Sequence, residues 1–326
     1  MHLRTMGLVI SHKNGEKRRA ILPCDVKKLR HPGQLYFETG YGSSIGVADS
    51  EYLEAGAHIV TREEALRCDI VTDVKLDSAD YLDQLADETI LLGWSHVTQS
   101  IGFTDKCLEK NMTVIAWEEM FENGRYIFYR NREVAGEAGI MQALLYCGRM
   151  PYDAKVAIIG NGQTAKGVMR VLHGLGANID VFARKHEAMF RRMMYDYDII
   201  VNCVMWDVLR TDRLIYREDL ARMKPGTMIV DISCDPYLEI ETSHPTTIEN
   251  PVYTVDGVIH YAVDNTPAMF PITVTKVLSE GCARMFDAII EDNLPEYIRE
   301  AVVIEKGHIL NESTRSFRLQ RGLAVK

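Results

Sequence analysis

Short apolar runs rich in β-branched residues alternate with longer amphipathic stretches along most of this chain. The apolar runs fall at residues 6–10, 69–75, 89–96, 112–117, 155–159, 178–183, 199–204, 228–233 and 252–255, and each has the length of a buried strand. Between them the spacing predicts helices. One starts at Pro23, one is capped by Asp49 or Ser50 and stopped by Gly56, and one runs over 133–147. Another carries Val168, Met169, Val171 and Leu172 and ends near Gly174 and Gly176. A last long helix is expected over about 273–290, with Pro271 just ahead of it. Strands alternating with helices predict an α/β protein with parallel sheets.

The stretch Lys155 to Gly167 organises the rest. A β-branched run ends at Ile159, and Gly160, Gly162 and Ala165 then spell G-x-G-x-x-A ahead of a helical pattern. Gly160 permits the turn, Gly162 lets backbone approach a pyrophosphate, and Ala165 lets helix and strand pack closely. Asn161, Gln163 and Thr164 complete the loop and the first helical turn. A lone glycine motif also fits an ordinary strand–turn–helix, but here both the strand and the helix are present. The chain therefore reads as two domains. Residues 1–130 with 271–326 form an α/β substrate domain, and residues 131–270 form a Rossmann-type, doubly wound parallel sheet. The C-terminal helix returns to the first domain.

The next strand bears on the choice of dinucleotide. An NAD site usually ends this strand with Asp or Glu, which holds the ribose 2′-hydroxyl. Here Ala183 stands there, followed by Arg184 and Lys185. Ala183 removes a carboxylate that would repel a 2′-phosphate, and Arg184 can grip that phosphate through two parallel hydrogen bonds, with Lys185 as a point charge. The cofactor expected is NADP(H), although the same two cations also suit a solvated loop.

Composition narrows the classes. A formal net charge of −9 argues against a broad nucleic-acid or anionic-membrane footprint. No apolar run approaches the roughly 20 residues of a spanning helix, and the apolar stretch at residues 6–10 is too short for a signal peptide. Seven scattered cysteines without close pairs argue against a disulfide framework or a zinc site and suit a reducing cytoplasm.

Candidate catalytic groups sit where strands are expected to end. Lys75 closes the 69–75 run and His96 closes the 89–96 run, and ligands of open α/β sheets bind beyond the carboxyl ends of strands. Each alone is ordinary, since a strand-end lysine is usually solvated and a lone histidine usually structural. Arg18 and Arg19 precede the Pro23 helix in a polar loop, where a guanidinium suits a carboxylate but a surface pair is equally ordinary. Asp235 follows the 228–233 run, and Asn265 precedes Pro267. Either can serve a ligand or cap a turn.

These pieces, in this order, resemble the alanine dehydrogenase and carboxyethylornithine synthase family, over roughly residues 6–290. The matching stretches are Arg18-Arg19-Ala20-Ile21-Leu22-Pro23, Glu38-Thr39-Gly40, Asp73-Val74-Lys75, Trp94-Ser95-His96 and Glu133-Val134-Ala135-Gly136. The glycine loop, Asp231 to Asp235 and Asn265-Thr266-Pro267 complete them. The resemblance implies that Arg18 binds the carboxylate of a 2-oxo acid, with register favouring it over Arg19. It also implies that Lys75 and His96 bind and activate the oxo group, and that Asp235 lies beside the nicotinamide. Asn265 would hydrogen-bond the nicotinamide or the substrate. Ala183 stands where alanine dehydrogenases carry an acidic residue, and Arg132 where they usually carry Ser. Both departures, with the shorter chain, lean toward the NADP-using synthases.

The activity this implies is reductive condensation of pyruvate with the side-chain amine of ornithine or lysine, in a cytoplasmic homo-oligomer with small-molecule substrates and no nucleic-acid or membrane partner. Recognition of the amine is expected from loops near Trp94, Arg130, Arg132 or Trp206. Alternatives are alanine dehydrogenase, with ammonia as the amine, and saccharopine-type condensation with 2-oxoglutarate. A non-catalytic NADP-binding protein is a further alternative.

Overall fold

A computed structural model describes residues 3–234 and 238–326. The chain divides into two compact units, residues 1–128 with 271–326, and residues 129–270.

The first unit opens with strands β1 (Met6–Leu8), β2 (Leu35–Glu38), β3 (His58–Val60), β4 (Ile70–Lys75), β5 (Ile90–Trp94) and β6 (Thr113–Ala116), and a two-residue-per-strand hairpin, β7 (Phe121–Glu122) and β8 (Arg125–Tyr126). Its helices are α1 (Pro23–Val26), α2 (Asp49–Glu54), α3 (Arg62–Ala65) and α4 (Ile101–Glu109). The second unit begins with α5 (Tyr129–Ala143), then β9 (Lys155–Ile159), α6 (Gln163–Gly174), β10 (Asn178–Phe182), α7 (Glu187–Met193), β11 (Ile199–Asn202), α8 (Arg217–Leu220), β12 (Met228–Asp231), β13 (Val252–Val255) and β14 (Val258–Tyr261). The chain then rejoins the first unit with α9 (Pro271–Ala283), α10 (Phe286–Ile290), α11 (Glu296–Arg299), β15 (Val302–Glu305), β16 (His308–Ile309) and α12 (Glu312–Gln320).

In the first unit the sheet order is β16-β15-β6-β5-β4-β1-β2-β3. The strands from β6 to β3 are parallel, and β15 and β16 extend the sheet antiparallel beyond β6. All six residues of β4 are buried, as a central parallel strand requires. One face packs Val71, Leu91 and Val114 against Phe103, Cys107 and Leu108 of α4.

In the second unit the order is β10-β9-β11-β12-β14-β13, parallel except for β13. Alternation along β9 serves both faces. Val156 and Ile158 pack with Ala165, Val168 and Leu172 of α6, and Ala157 and Ile159 pack with Phe190 and Leu220 on the other side. The chain leaves β9 for β10 on one flank and returns to β11 on the other, so the sheet is doubly wound and switches direction at the C-terminal end of β9.

Four local expectations change. Asp49 does not cap α2: Ala48 holds the cap position, its N–H donating to Glu51 at 2.9 Å, while Asp49 accepts the Gly40 N–H. The helix expected from residue 133 starts at Tyr129. The long C-terminal helix is broken into α9 and α10, because Arg284 and Met285 turn back to Gly281 and Cys282 in tighter bonds, and Pro271 is the first residue of α9 rather than a flank. β14 lies outside the expected strands and follows β13 across a two-residue Asp256–Gly257 turn with both residues at positive φ, the geometry of a tight hairpin. Among the described residues no helix is long and apolar enough to cross a membrane.

Candidate functional site

In the first unit, the parallel pairing of β4 with β5 sets Lys75 opposite Trp94. Lys75 is the last residue of β4, and the turn Leu76–Ser78 brings Asp77 back beside it. The Lys75 Nζ lies 3.2 Å from Asp77 Oδ2, and Nδ1 of His96 lies 3.6 Å from the same oxygen. Lys75 thus ends its strand as expected, whereas β5 stops at Trp94 and His96 lies in the loop two residues beyond it, and the two meet on one carboxylate. The Lys75 side chain is only 7% exposed, so its charge needs such a partner, while His96, at 39%, keeps an open side.

The His96 backbone is held separately. Its φ is 43°, in the left-handed region, where a non-glycine residue is strained. Glu118, just beyond β6, accepts the His96 N–H at 2.6 Å, the Ser95 N–H and the Ser95 hydroxyl. The carbonyl of His96 in turn accepts the N–H groups of Gln99 and Ser100 ahead of α4. Beneath Lys75, Asp73 is fully buried and accepts the Lys75 N–H and the Tyr81 hydroxyl, each at 2.9 Å. Burial pushes its carboxyl up to about 6, against those hydrogen bonds.

Arg18 is not in a solvated loop. It is 1% exposed and its guanidinium sits 4.9 Å from the centre of the Trp94 ring. Glu16 accepts its Nε and Nη2 in a fork at 2.9 and 2.5 Å. Arg19 is also buried, with its guanidinium directed at the backbone carbonyls of Tyr41 and Arg18. Trp94 donates its indole N–H to Tyr126. Arg18, Trp94, Lys75 and His96 therefore gather around the carboxyl ends of β4 and β5.

In the second unit, Gly160 has φ 106°, and a Cβ there would lie 2.9 Å from the Cys203 carbonyl. Only glycine fits that switch point. Gly162 caps the 12-residue α6 with no side-chain bond, and a Cβ on it would meet nothing within 4 Å. Asn161 is exposed, Gln163 and Thr164 half-buried and Ala165 buried. The first-turn N–H groups of α6 thus face open space, and this cradle fits a pyrophosphate. Ala165 does not act alone in the close packing. A Cβ on Gly167 would lie 2.0 Å from the Glu133 carbonyl, and one on Gly136 2.1 Å from that of Thr164, so α5 crosses α6 at backbone contact.

Arg184 and Lys185 follow the end of β10 in a 3-10 turn capped by Ala183. Both are exposed, and among the described residues neither has an ion-pair partner. That pair, with no carboxylate at position 183, suits an added phosphate. Asn265 has φ 66° and opens the turn Thr266–Met269, whose Thr266 hydroxyl donates to Ala135. At the ends of β11 and β12, the Asn202 amide bridges the buried carboxylates of Asp231 and Glu239. Burial raises the Asp231 carboxyl, opposed by its bonds from Ser243, Asn202 and Cys234. Asp235 lies outside the described residues. Of the amine-recognition positions, Trp206 is buried with Arg210 stacked on it at 4.0 Å, and Arg130 pairs with Glu133.

Asp77, Glu118, Glu16 and Asp73 had no assigned role in the sequence. The available signal was a carboxylate two residues from each candidate cation: Glu16 before Arg18, and Asp73 and Asp77 flanking Lys75. Glu118 gave none, because its partner is distant in sequence.

Residues 8–127 match the family model for the N-terminal domain of alanine dehydrogenase/PNT, and residues 181–314 match that for its C-terminal domain. An N(5)-(carboxyethyl)ornithine synthase of Lactococcus lactis subsp. lactis is 30% identical over 304 residues, spanning 86% of this chain and 97% of that protein. Alanine dehydrogenase 1 of Staphylococcus aureus is 27% identical over 352 residues, spanning 93% and 94%. A solved L-alanine dehydrogenase superposes with a TM-score of 0.83 at 22% identity, over 97% of this chain and 99% of that one.

Proposed function

The chain belongs to the alanine dehydrogenase/PNT family, and from that premise we propose that it reductively condenses pyruvate with the side-chain amine of a basic amino acid, ornithine or lysine, using NADPH. The family is one of nicotinamide-dinucleotide-dependent oxidoreductases acting on CH–NH bonds. The observation that carries the reading is the gathering of Arg18, Lys75 and His96 around the ends of β4 and β5.

In this reading Arg18 faces the 2-oxo acid carboxylate, and Glu16 fixes the plane of its guanidinium. The Lys75 ammonium polarises the oxo group. His96, whose unperturbed pKa of about 6.5 suits both giving and taking a proton near neutrality, accepts a proton from the attacking amine. It then returns a proton to the carbinolamine hydroxyl as water leaves and the imine forms. When bound, the reduced dinucleotide supplies a hydride to the carbon of the protonated imine, whose nitrogen keeps its proton in the secondary amine. Gly160 to Ala165 would hold its pyrophosphate, Arg184 and Lys185 its 2′-phosphate, and Asn265 its nicotinamide end. Asp235 is assigned beside the nicotinamide by family resemblance.

The test is oxidation of NADPH and of NADH with pyruvate plus ornithine, lysine or ammonia, and with 2-oxoglutarate in place of pyruvate. Turnover with pyruvate and a diamino acid, preferring NADPH, supports the proposal. Turnover with ammonia alone makes the chain an alanine dehydrogenase. Tight NADPH binding with no turnover across the panel leaves a non-catalytic binding protein.

A further inference from the structure

We propose that Asp77 is the positioning residue of this site: one carboxylate oxygen holds the Lys75 ammonium and the His96 imidazole together, so that the two act as a unit. The inference rests on the reaction proposed above, but it is separable from it by experiment.

The geometry is specific. Asp77 Oδ2 lies 3.2 Å from Lys75 Nζ and 3.6 Å from His96 Nδ1, while Oδ1 accepts the Ser78 hydroxyl at 3.4 Å. The cations arrive from different strands, and the carboxylate stands on the turn after β4. A neighbour on Nδ1 selects the tautomer that carries its proton there, which leaves Nε2 as the nitrogen that exchanges protons with substrate. A distance of 3.6 Å is long for a hydrogen bond, and such contacts commonly tighten when substrate binds. Glu118 fixes the His96 backbone, whereas Asp77 stands beside the ring.

The surrounding charges have other partners. On β4, Asp73 accepts from Lys75 N–H and Tyr81. In the loop between β1 and α1, Arg18 is forked to Glu16. Asp77 also lines a cavity of about 200 Å³ with Asp80, Asp83 and Lys106. There Lys106 of α4 pairs with Asp83 and Glu109, and Asp80 with His12 and Arg62. Removing the Asp77 charge therefore leaves Lys75 and His96 without their shared counter-charge, while the neighbouring pairs stay intact.

The experiment compares wild type, Asp77→Asn and Asp77→Glu. A pH profile of kcat is measured for each, with the NADPH Kd, the thermal midpoint and the NMR titration of the His96 ring, assigned with His96→Gln. For Asp77→Asn, loss of a nearby negative charge disfavours both protonated cations. The expected result is a displacement of both limbs of the profile, and of the ring titration midpoint, to lower pH by about 0.5–1 unit. A kcat loss of at least about 10-fold should accompany it, with the NADPH Kd unchanged. Asp77→Glu should restore the limbs toward wild type. A drop in rate with limbs and ring midpoint in place overturns the inference, and so does a profile that Asp77→Glu fails to move back. If wild type turns over no 2-oxo acid with any amine, the reaction reading fails. The ring midpoint still decides the role of Asp77, because it is read without substrate.

Discussion

Glu118 accepts the backbone N–H of His96 at 2.6 Å and so holds a histidine at φ 43°. The same carboxylate takes the N–H and the hydroxyl of Ser95. A strained loop conformation persists only where its surroundings over-determine it. Glu118→Ala should lower stability by about 1–3 kcal/mol, through three hydrogen bonds lost at once, and should lower kcat without weakening NADPH binding. Urea denaturation and steady-state kinetics read the two effects. A variant as stable and as active as wild type would remove Glu118 from its supporting role.

Arg18 cannot be probed cleanly by truncation. Arg18→Ala would break the buried fork to Glu16, and removing one partner of a buried ion pair costs about 3–5 kcal/mol by itself. Arg18→Lys keeps the charge and loses the fork, so it is the better variant. It should raise the KM for the 2-oxo acid at least about 10-fold while the NADPH Kd stays put. Unchanged kinetics in this variant would exclude Arg18 from substrate binding.

Asp73 gives a pH signature. Burial raises its carboxyl from an ordinary 3.8 to about 6 in the folded protein. Between those values the folded chain binds a proton that the unfolded chain has released. Its contribution to stability is therefore fully present below about pH 4 and lost as pH rises through 6, a span of about 3 kcal/mol. Asp73→Asn should remove this dependence. The stability difference between variant and wild type should move in favour of the variant by up to that amount between pH 4 and 7.5. A difference that does not change with pH would mean that Asp73 is ionised normally.

Two glycines on one helix should behave oppositely. A Cβ on Gly162 meets nothing within 4 Å, but it stands in the cradle offered to the pyrophosphate. Gly162→Ala should leave the thermal midpoint nearly unchanged and weaken dinucleotide binding by about 10-fold or more. Gly167→Ala drives a methyl into the Glu133 carbonyl and should cost about 1–3 kcal/mol. Calorimetry and fluorescence titration separate them, and equal thermal losses would contradict the open cradle.

Arg184→Ala tests the choice of dinucleotide. Losing a charge-assisted fork to a 2′-phosphate should weaken NADPH by about 10- to 100-fold and NADH by less than about 3-fold. Equal losses would mean that Arg184 touches no such phosphate.

Hydrophobic periodicity and punctuation determined most of the fold in advance. β-branched runs marked strands β4, β5, β6, β9, β11 and β12 because a strand buried on both faces admits little else. The glycine loop marked the turn after β9, because few residues allow its backbone and close approaches. The hairpin that makes β14 has a local signal too, Asp256-Gly257 between two apolar runs. The break after α9, where Arg284 and Met285 turn back to Gly281 and Cys282, had no such signal. The tertiary structure alone decided which charges meet. Lys75 and His96 stand twenty-one residues apart and converge because β4 and β5 pair in parallel and end together, with Asp77 folded back between them. His96 finds Glu118, twenty-two residues on, because a strained polar loop must be satisfied wherever packing has put a partner. Periodicity is a local property of the chain, whereas the neutralisation of a buried charge depends on what lies across the sheet.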